Sequence, residues 1–301
     1  MLKNGTASCR PTSAVKAAPS RFSISAQTMK QQLQTSESAL PKLQKPKGTK
    51  SASRARAAVL VSFAAVILAS ILVFFLAGSS VAAPYSYTDN TKVLLYHLVS
   101  DETYGPNEYL FVRISDFEAQ LAEIKRLGYK TVFADELAET RGEPCVVLTF
   151  DDGYADNYTN VLPLLEKYDM KATIFLISDL IGTEGHLNEE QILEMQESGH
   201  IRFASHTKTH QNLAGIDKET LEAELAESRR WLEELTGEPV RALAYPSGAY
   251  DSLSELVAAE CGYEYCYTTE HPTCEYYPNT RLPRSYVVRD MAMSDFLRLL
   301  E

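Results

Sequence analysis

From Lys92 onward, the chain alternates between short apolar runs and longer segments with helical periodicity. Runs such as Val93–Tyr96 and Val146–Phe150 are continuously apolar, which is typical of strands buried on both faces. The segments between them repeat apolar residues every three or four positions, most clearly over residues 221–235. Because strands and helices alternate, the sequence predicts an α/β domain with a parallel sheet and outer helices. About seven such units predict a distorted (β/α)7-type barrel.

The individual elements follow from these two periodicities. The predicted strands are 93–96, 129–133, 146–150, 172–177, 201–204, 242–245, 263–268 and 286–288. The predicted helices are a segment over 117–127 that stops at Gly128, then 135–140, 157–168, 188–198, the long helix around 221–235, 252–260 and a terminal helix from Asp290.

Charge divides the chain into two parts. Residues 1–58 hold 11 basic residues and one acid, whereas the remainder holds 18 basic and 39 acidic residues. Between them, Ala57–Ala77 is uncharged and long enough, at about 1.5 Å per residue, to cross a bilayer core. We therefore predict a disordered basic cytoplasmic tail (1–56), a single transmembrane signal-anchor helix (57–78), a linker (79–92) and an extracellular domain (93–301). The alternative is a signal peptide cleaved near Ala83, which would release a secreted protein.

Two polar motifs follow apolar strands. Asp151 and Asp152 end the run Val146–Phe150, where charge is costly unless a site needs it. His206 and His210 follow the next strand but one, and their spacing predicts that both rings lie on one side of a helical turn. One carboxylate with two imidazoles gives three ligands and leaves the fourth position of a tetrahedral zinc for water, and the second aspartate can act as base.

Each motif has a simpler interpretation on its own. Asp-Asp-Gly also fits an ordinary turn, and an isolated histidine pair also fits an exposed surface. Their joint occurrence at the ends of apolar strands favours the metal site. The remaining histidines are interpreted as surface residues (His186, His271) or as structural (His200). Cys261, Cys266 and Cys274 lie within 14 residues in the part predicted to be extracellular, where a disulfide can persist.

Thr149–Gly153 and Ser205–His210 together resemble the first two motifs of the polysaccharide deacetylases, the carbohydrate esterase family 4 enzymes with a NodB homology domain. The resemblance runs through about residues 93–300. It implies a distorted barrel and deacetylation of N-acetylglucosamine-type sugars. It also implies a divalent metal, usually zinc, with Asp152, His206 and His210 as ligands and Asp151 as the catalytic base.

Two features depart from the usual family pattern. Ala244 stands where an arginine is expected before Tyr245-Pro246-Ser247-Gly248, and no histidine follows His271. Both features resemble the circularly permuted subgroup that deacetylates poly-N-acetylglucosamine. In that subgroup an early Tyr-His supplies the general acid and a late Leu-Pro-Arg supplies the arginine. The resemblance therefore implies that His97 is the acid and that Arg284 orients the base.

The predicted function is a metal-dependent hydrolase that removes acetyl groups from a cell-envelope or extracellular polysaccharide. The Tyr245–Ser247 turn is predicted to hold the oxyanion or the substrate through its backbone N–H groups. An O-acetyl esterase and a catalytically silent carbohydrate-binding domain remain the alternatives. The acidic charge of the folded part argues against nucleic acid as a partner. The membrane is predicted to be contacted through residues 57–78, and no protein partner is inferred.

Overall fold

The structure is a computed structural model that describes residues 90–140, 143–273 and 277–301. Its strands are β1 (Thr91–Tyr96), β2 (Leu98–Val99), β3 (Phe111–Val112), β4 (Lys130–Thr131), β5 (Cys145–Phe150), β6 (Ala172–Leu176), β7 (Ile201–Ser205), β8 (Ala242–Ala244), β9 (Tyr265–Tyr267) and β10 (Ser285–Tyr286). Its helices are α1 (Ile114–Arg126), α2 (Leu162–Tyr168), α3 (Glu189–Glu197), α4 (Lys218–Thr236), α5 (Ser252–Glu260) and α6 (Met293–Leu299).

The main sheet is parallel throughout, in the order β10-β1-β5-β6-β7-β8-β9, with β4 added alongside β5. Residues 282–286 pair with strands at both ends of this strand order. Leu282 pairs with Tyr267 of β9, and Ser285 and Tyr286 pair with β1. Because one short segment reaches both edge strands, the sheet is curled. The α/β class and the parallel sheet are confirmed, and the curl is consistent with the predicted distorted barrel.

Successive strand residues pack on opposite faces of the sheet. Leu94 and Leu148 belong to a large apolar cluster that includes the inner faces of α1 and α4. Val93 and Val147 belong to a smaller cluster on the other face. The smaller cluster holds alanines from β7 and β8 beside bulky aromatic rings, as expected for the narrow interior of a curled sheet.

Several predicted elements differ from the structure in length. The helix expected over 157–168 starts with a π-helix, Asn157–Val161, that continues into α2. The helix expected at 135–140 is a 3₁₀ turn, Leu137–Glu139. A two-stranded parallel pair of β2 and β3, absent from the prediction, follows β1. β1 itself begins at Thr91, inside the predicted linker.

The predicted tail and membrane segment lie outside the described residues. Within residues 90–140, 143–273 and 277–301, no helix is both long enough and apolar enough to cross a bilayer. Cys261 and Cys266 are free thiols, and Cys274 also lies outside the described residues.

Candidate active site and metal centre

Most of the predicted site residues lie at one edge of the sheet, just past the carboxyl ends of their strands. Asp151 and Asp152 follow β5, His206 follows β7, and His97 follows β1. Arg284 lies immediately before β10. Because carboxyl ends of parallel strands share one edge, residues far apart in sequence meet there. His97, both aspartates, both histidines of the pair and Ser247 line one open cleft of about 630 Å³.

Asp152, His206 and His210 converge on one point. One potential ligand atom from each lies within 4.8 Å of the others. Asp152 Oδ1 is 3.5 Å from His206 Nε2 and 3.6 Å from His210 Nε2. The same oxygen is buried and has no hydrogen-bond partner among the described residues. A buried carboxylate oxygen without a donor is costly unless a cation occupies the space in front of it.

The donor set also fits a divalent metal chemically. His206 Nδ1 lies 2.8 Å from the Ala244 carbonyl, so Nδ1 carries the proton and Nε2 is left to face Asp152. Burial lowers the pKa of His206, which favours the neutral ring that metal binding requires. Two imidazoles and one carboxylate match a zinc site with an open position.

The histidine pair is not on a helical turn, as its spacing had predicted. Residues 206–210 leave β7 as an irregular loop in which Thr207 (φ 68°) and His210 (φ 63°) adopt left-handed conformations. Hydrogen bonds within the loop hold this path: Thr207 N donates to Ser205 Oγ, and His210 N donates to Thr207 Oγ1. The prediction of a shared metal is consistent with this geometry, whereas the helical explanation for it was wrong.

Glu224 supports this loop and was not identified from the sequence. It lies on the buried face of α4 and accepts hydrogen bonds from Thr209 Oγ1 (2.6 Å), Thr209 N (2.9 Å) and Lys208 N (3.1 Å). A glutamate on the apolar face of an otherwise amphipathic helix is the signal that identifies it in the sequence. The carboxylate fixes the backbone just before His210.

The turn at Asp152 allows only a residue without a side chain at the next position. Asp152 (φ 71°) and Gly153 (φ 74°) are both left-handed. A Cβ atom on Gly153 would lie 2.5 Å from Leu176 Cδ2. Glycine therefore lets the chain turn sharply while the Asp152 carboxylate points at the two histidines.

Asp151 forms a buried ion pair with Arg284. Arg284 is fully buried and donates from both terminal nitrogens to the two carboxylate oxygens at 2.7 Å each. Its Nε donates to the Thr268 carbonyl and its Nη1 to Thr149 Oγ1, so the guanidinium is held on three sides. Burial, the largest single cause, raises the pKa of Asp151, but Arg284, His206 and His97 together outweigh it and hold that pKa well below its usual range. Asp151 is therefore ionised and able to accept a proton.

His97 lies in the link between β1 and β2, and its ring is nearly parallel to that of Tyr286 (7° between planes, centroids 6.2 Å apart). Burial lowers the pKa of His97, with partial compensation by Asp151 and Asp152. A lowered pKa makes the protonated imidazole a stronger acid, and it also reduces the fraction of His97 that is protonated at neutral pH.

The Tyr245–Ser247 turn contributes less than predicted. The backbone N–H of Tyr245 donates to the Tyr267 carbonyl within the sheet, its hydroxyl donates to the Thr280 carbonyl, and its side chain is buried. Pro246 has no N–H to offer. Ser247 (φ 54°) is the member of the turn that lines the cleft. The structure thus brings Ser247 to the site but not Tyr245.

The cleft also contains aromatic residues that sequence reasoning missed. Tyr154 and His186 stack with ring centroids 5.2 Å apart, and Tyr109 and Tyr286 line the cleft with them. His186 had been interpreted as a surface residue, but it is half-buried here because its segment pairs with Tyr154 in an isolated bridge. Burial, followed by interaction with Asp152, raises the pKa of Tyr154, so its hydroxyl keeps its proton.

Comparison with known proteins identifies a family for part of the chain. Residues 138–266 match the family model for polysaccharide deacetylases. These residues form a polysaccharide deacetylase domain. The predicted family is confirmed.

Individual relatives extend the similarity beyond this segment. A Bacillus subtilis protein provisionally assigned as a polysaccharide deacetylase, YxkH, is 36% identical over 184 residues, which cover 59% of this chain and 64% of that protein. The poly-β-1,6-N-acetyl-D-glucosamine N-deacetylase of Staphylococcus aureus is 26% identical over 214 residues, 61% of this chain and 74% of that enzyme. The structure of the Streptococcus pyogenes deacetylase PplD in complex with acetate has a TM-score of 0.64 at 27% identity, covering 73% of this chain and all of that one.

Proposed function

We propose that this polysaccharide deacetylase is a metal-dependent N-deacetylase that hydrolyses the acetamide of N-acetylglucosamine-type residues in a cell-envelope or extracellular polysaccharide. One arrangement of side chains carries the proposal. A buried Asp152 oxygen that has no hydrogen-bond partner among the described residues lies close to two histidines, and a second aspartate, Asp151, is held by a buried arginine. The similarity to a poly-N-acetylglucosamine deacetylase and to a deacetylase that binds acetate supports the substrate class and the product.

Asp152, His206 and His210 would hold the metal, with zinc as the expected ion. When bound, such an ion acts as a Lewis acid that polarises a carbonyl oxygen and makes water nucleophilic near neutral pH.

The remaining chemistry belongs to side chains of the cleft. Asp151, kept ionised by Arg284, accepts the proton of the attacking water. Arg284 does not reach the cleft surface, because it is fully buried, so it orients Asp151 instead of binding substrate. His97 lies in the same cleft and donates a proton to the nitrogen as the C–N bond breaks.

The ion pair also argues against a catalytically silent binding domain. A structural zinc site is closed by a fourth protein ligand, whereas Asp151 is directed towards Arg284 and is 3.8 Å from His206 Nε2. A buried aspartate–arginine pair beside an open metal site suits proton transfer, which passive binding does not require.

The test is acetate release by the purified, metal-loaded protein from four polymers: chitooligosaccharides, poly-β-1,6-N-acetylglucosamine, peptidoglycan and acetylated xylan. We expect release from an N-acetylated substrate. Release from acetylated xylan alone would instead identify an O-acetyl esterase.

His97→Ala separates the two bond types. Amines leave poorly unless protonated, whereas activated acetyl esters leave without help. The variant should therefore lose amide hydrolysis by roughly 100-fold or more while retaining most hydrolysis of an activated acetyl ester and all of its metal. Equal loss in both assays would contradict the acid role.

The proposed location is the outer face of a membrane, with residues 57–78 as the anchor. An uncharged stretch of 21 residues that follows a strongly basic segment supports this orientation. The full-length protein should partition with membranes, and protease should reach the deacetylase domain only from outside. A soluble extracellular form that begins near Pro84 would instead establish cleavage.

A further inference from the structure

Three polar side chains that follow the aspartate motif all contact the backbone beside His97. Asn157 Nδ2 donates to the His97 carbonyl at 3.1 Å, and Asn160 Nδ2 donates to the Val99 carbonyl at 2.8 Å. The Asp156 carboxylate accepts the backbone N–H of Val99 through Oδ2. We call these three residues the 97–99 clamp. Asn160 follows Asp156 by four positions and Asn157 by three in one helical segment, so it lies near both on the side that contacts residues 97–99.

The segment that the clamp holds is short, and the burial of Leu98 and Val99 anchors its side chains but leaves much of its backbone to be held by hydrogen bonds. β2 and β3 pair over only two residues each, Leu98 with Phe111 and Val99 with Val112. A two-stranded pair of this length is not stable alone. Hydrogen bonds from the clamp therefore add to the burial of Leu98 and Val99 in fixing where this segment lies, and they act directly on the carbonyls of His97 and Val99 and the Val99 N–H.

The clamp is an inefficient way to stabilise a fold. Asn157 is fully buried, yet its Oδ1 has no hydrogen-bond partner among the described residues, and neither does the buried Oδ1 of Asp156. Unpaired buried polar atoms cost free energy, so an apolar residue would pack here at lower cost. The clamp also begins a π-helix, Asn157–Val161, a feature that is concentrated at functional sites.

We propose that Asp156, Asn157 and Asn160 are positioning residues that fix His97 for proton donation to the leaving amine. The proposal rests on the proposed function, in which His97 is the acid. It links the two proton-transfer groups of the proposed mechanism, because the clamp begins four positions after Asp152 in the chain and holds the backbone of His97. Displacement of a catalytic group by about 1 Å can lower a rate by as much as about 100-fold.

The test measures amide and activated-ester hydrolysis by the full-length, metal-loaded protein. Asn160→Ala and Asp156→Ala should each lower amide hydrolysis by about 10- to 100-fold and change ester hydrolysis by less than about threefold. Asp156→Asn keeps an oxygen that can accept the Val99 N–H, so it should recover most of the amide activity that Asp156→Ala loses.

A double-variant comparison separates positioning from general support. In a His97→Ala background the clamp has no acid left to position, so adding Asn160→Ala should lower amide hydrolysis no further. Gln196→Ala is the matched control, because Gln196 Nε2 also donates to a backbone carbonyl (Thr236, 3.0 Å). Gln196 precedes the amino end of β7, whereas the site lies past the carboxyl end of that strand. The Gln196→Ala variant should keep both activities unchanged. Circular dichroism and metal content verify that each variant is folded and loaded.

The outcomes distinguish this inference from the proposed function. A wild-type protein that hydrolyses no amide substrate would overturn both. If the wild type hydrolyses the amide but the clamp variants lose amide and ester activity equally, the inference alone is overturned. A further loss when Asn160→Ala is added to His97→Ala would also overturn it, and so would an Asp156→Asn variant as impaired as Asp156→Ala.

Discussion

Replacing Asp156 by asparagine should change how the stability of the protein depends on pH. The Oδ1 atom of Asp156 is buried without a partner, and Oδ2 accepts the Val99 N–H. Burial is the largest cause acting on this carboxyl, and it raises the pKa from an ordinary 3.8 to about 7. Asparagine has the same shape but carries no charge, so the substitution removes the titration while keeping an acceptor for Val99.

The sign and size of the effect follow from the two pKa values. The folded state binds a proton at Asp156 more tightly than the unfolded state, so this stabilisation is complete below pH 3.8 and is lost as pH rises through about 7. Between pH 5 and pH 8, Asp156 should lower the free energy of unfolding of the wild type by about 3 kcal/mol. The Asp156→Asn protein lacks this loss, so its stability relative to wild type should rise by about that amount over the same interval.

Urea denaturation followed by fluorescence of the single tryptophan, Trp231, measures the difference, because that residue packs against the main apolar cluster. Asp295→Asn is the control, since Asp295 is exposed and its one ion pair among the described residues is with Arg298 on the surface, where such a pair contributes little. Its stability relative to wild type should change by less than about 1 kcal/mol between the two pH values. A difference between Asp156→Asn and wild type that does not vary with pH would refute the argument from burial.

Three further predictions concern the metal and the buried ion pair. The wild type should hold one divalent ion per chain, and a folded His206→Ala/His210→Ala protein should hold none by elemental analysis; stoichiometric metal in that variant would exclude the site. Asp151→Asn should keep its metal but lose about 100-fold or more in turnover, because an amide cannot accept the proton, and near-wild-type turnover would eliminate Asp151 as the base. Arg284→Met should lower the free energy of unfolding by about 3–5 kcal/mol by leaving Asp151 buried and unpaired. Urea denaturation should find the Asp151→Asn/Arg284→Met double variant more stable than Arg284→Met alone, and the opposite order would contradict an uncompensated charge as the cause.

The strand-end residues of the site could be predicted because parallel strands impose a shared edge. Apolar runs identified β5 and β7, and any polar residue just past either run had to lie at that edge. The loop after β7 that carries the candidate metal ligands could not be predicted in the same way. Its left-handed residues, Thr207 and His210, are held by hydrogen bonds that periodicity does not indicate, so spacing alone suggested a helix.

The supporting residues were missed for a related reason. Glu224 interrupts the apolar face of α4 visibly in the sequence, but its partners lie in a loop 15 and 16 positions away, which no local pattern identifies. β2 and β3 have two residues each, too few to generate an alternating pattern. His186 reaches the cleft only because its loop pairs with Tyr154, a long-range contact in a segment of turns.

The bond between Arg284 and Asp151 has a consequence for synthesis of the chain. The two residues are 133 positions apart, so the carboxylate leaves the ribosome well before its cation. At about 5–20 residues per second, that interval lasts on the order of ten seconds. Until Arg284 arrives, burying Asp151 would isolate an unpaired charge, so this edge of the sheet stays hydrated. On the proposed mechanism, a nascent or C-terminally truncated chain without Arg284 would therefore lack the partner that holds Asp151 as the base, and hydrolysis would begin only once β10 is in place.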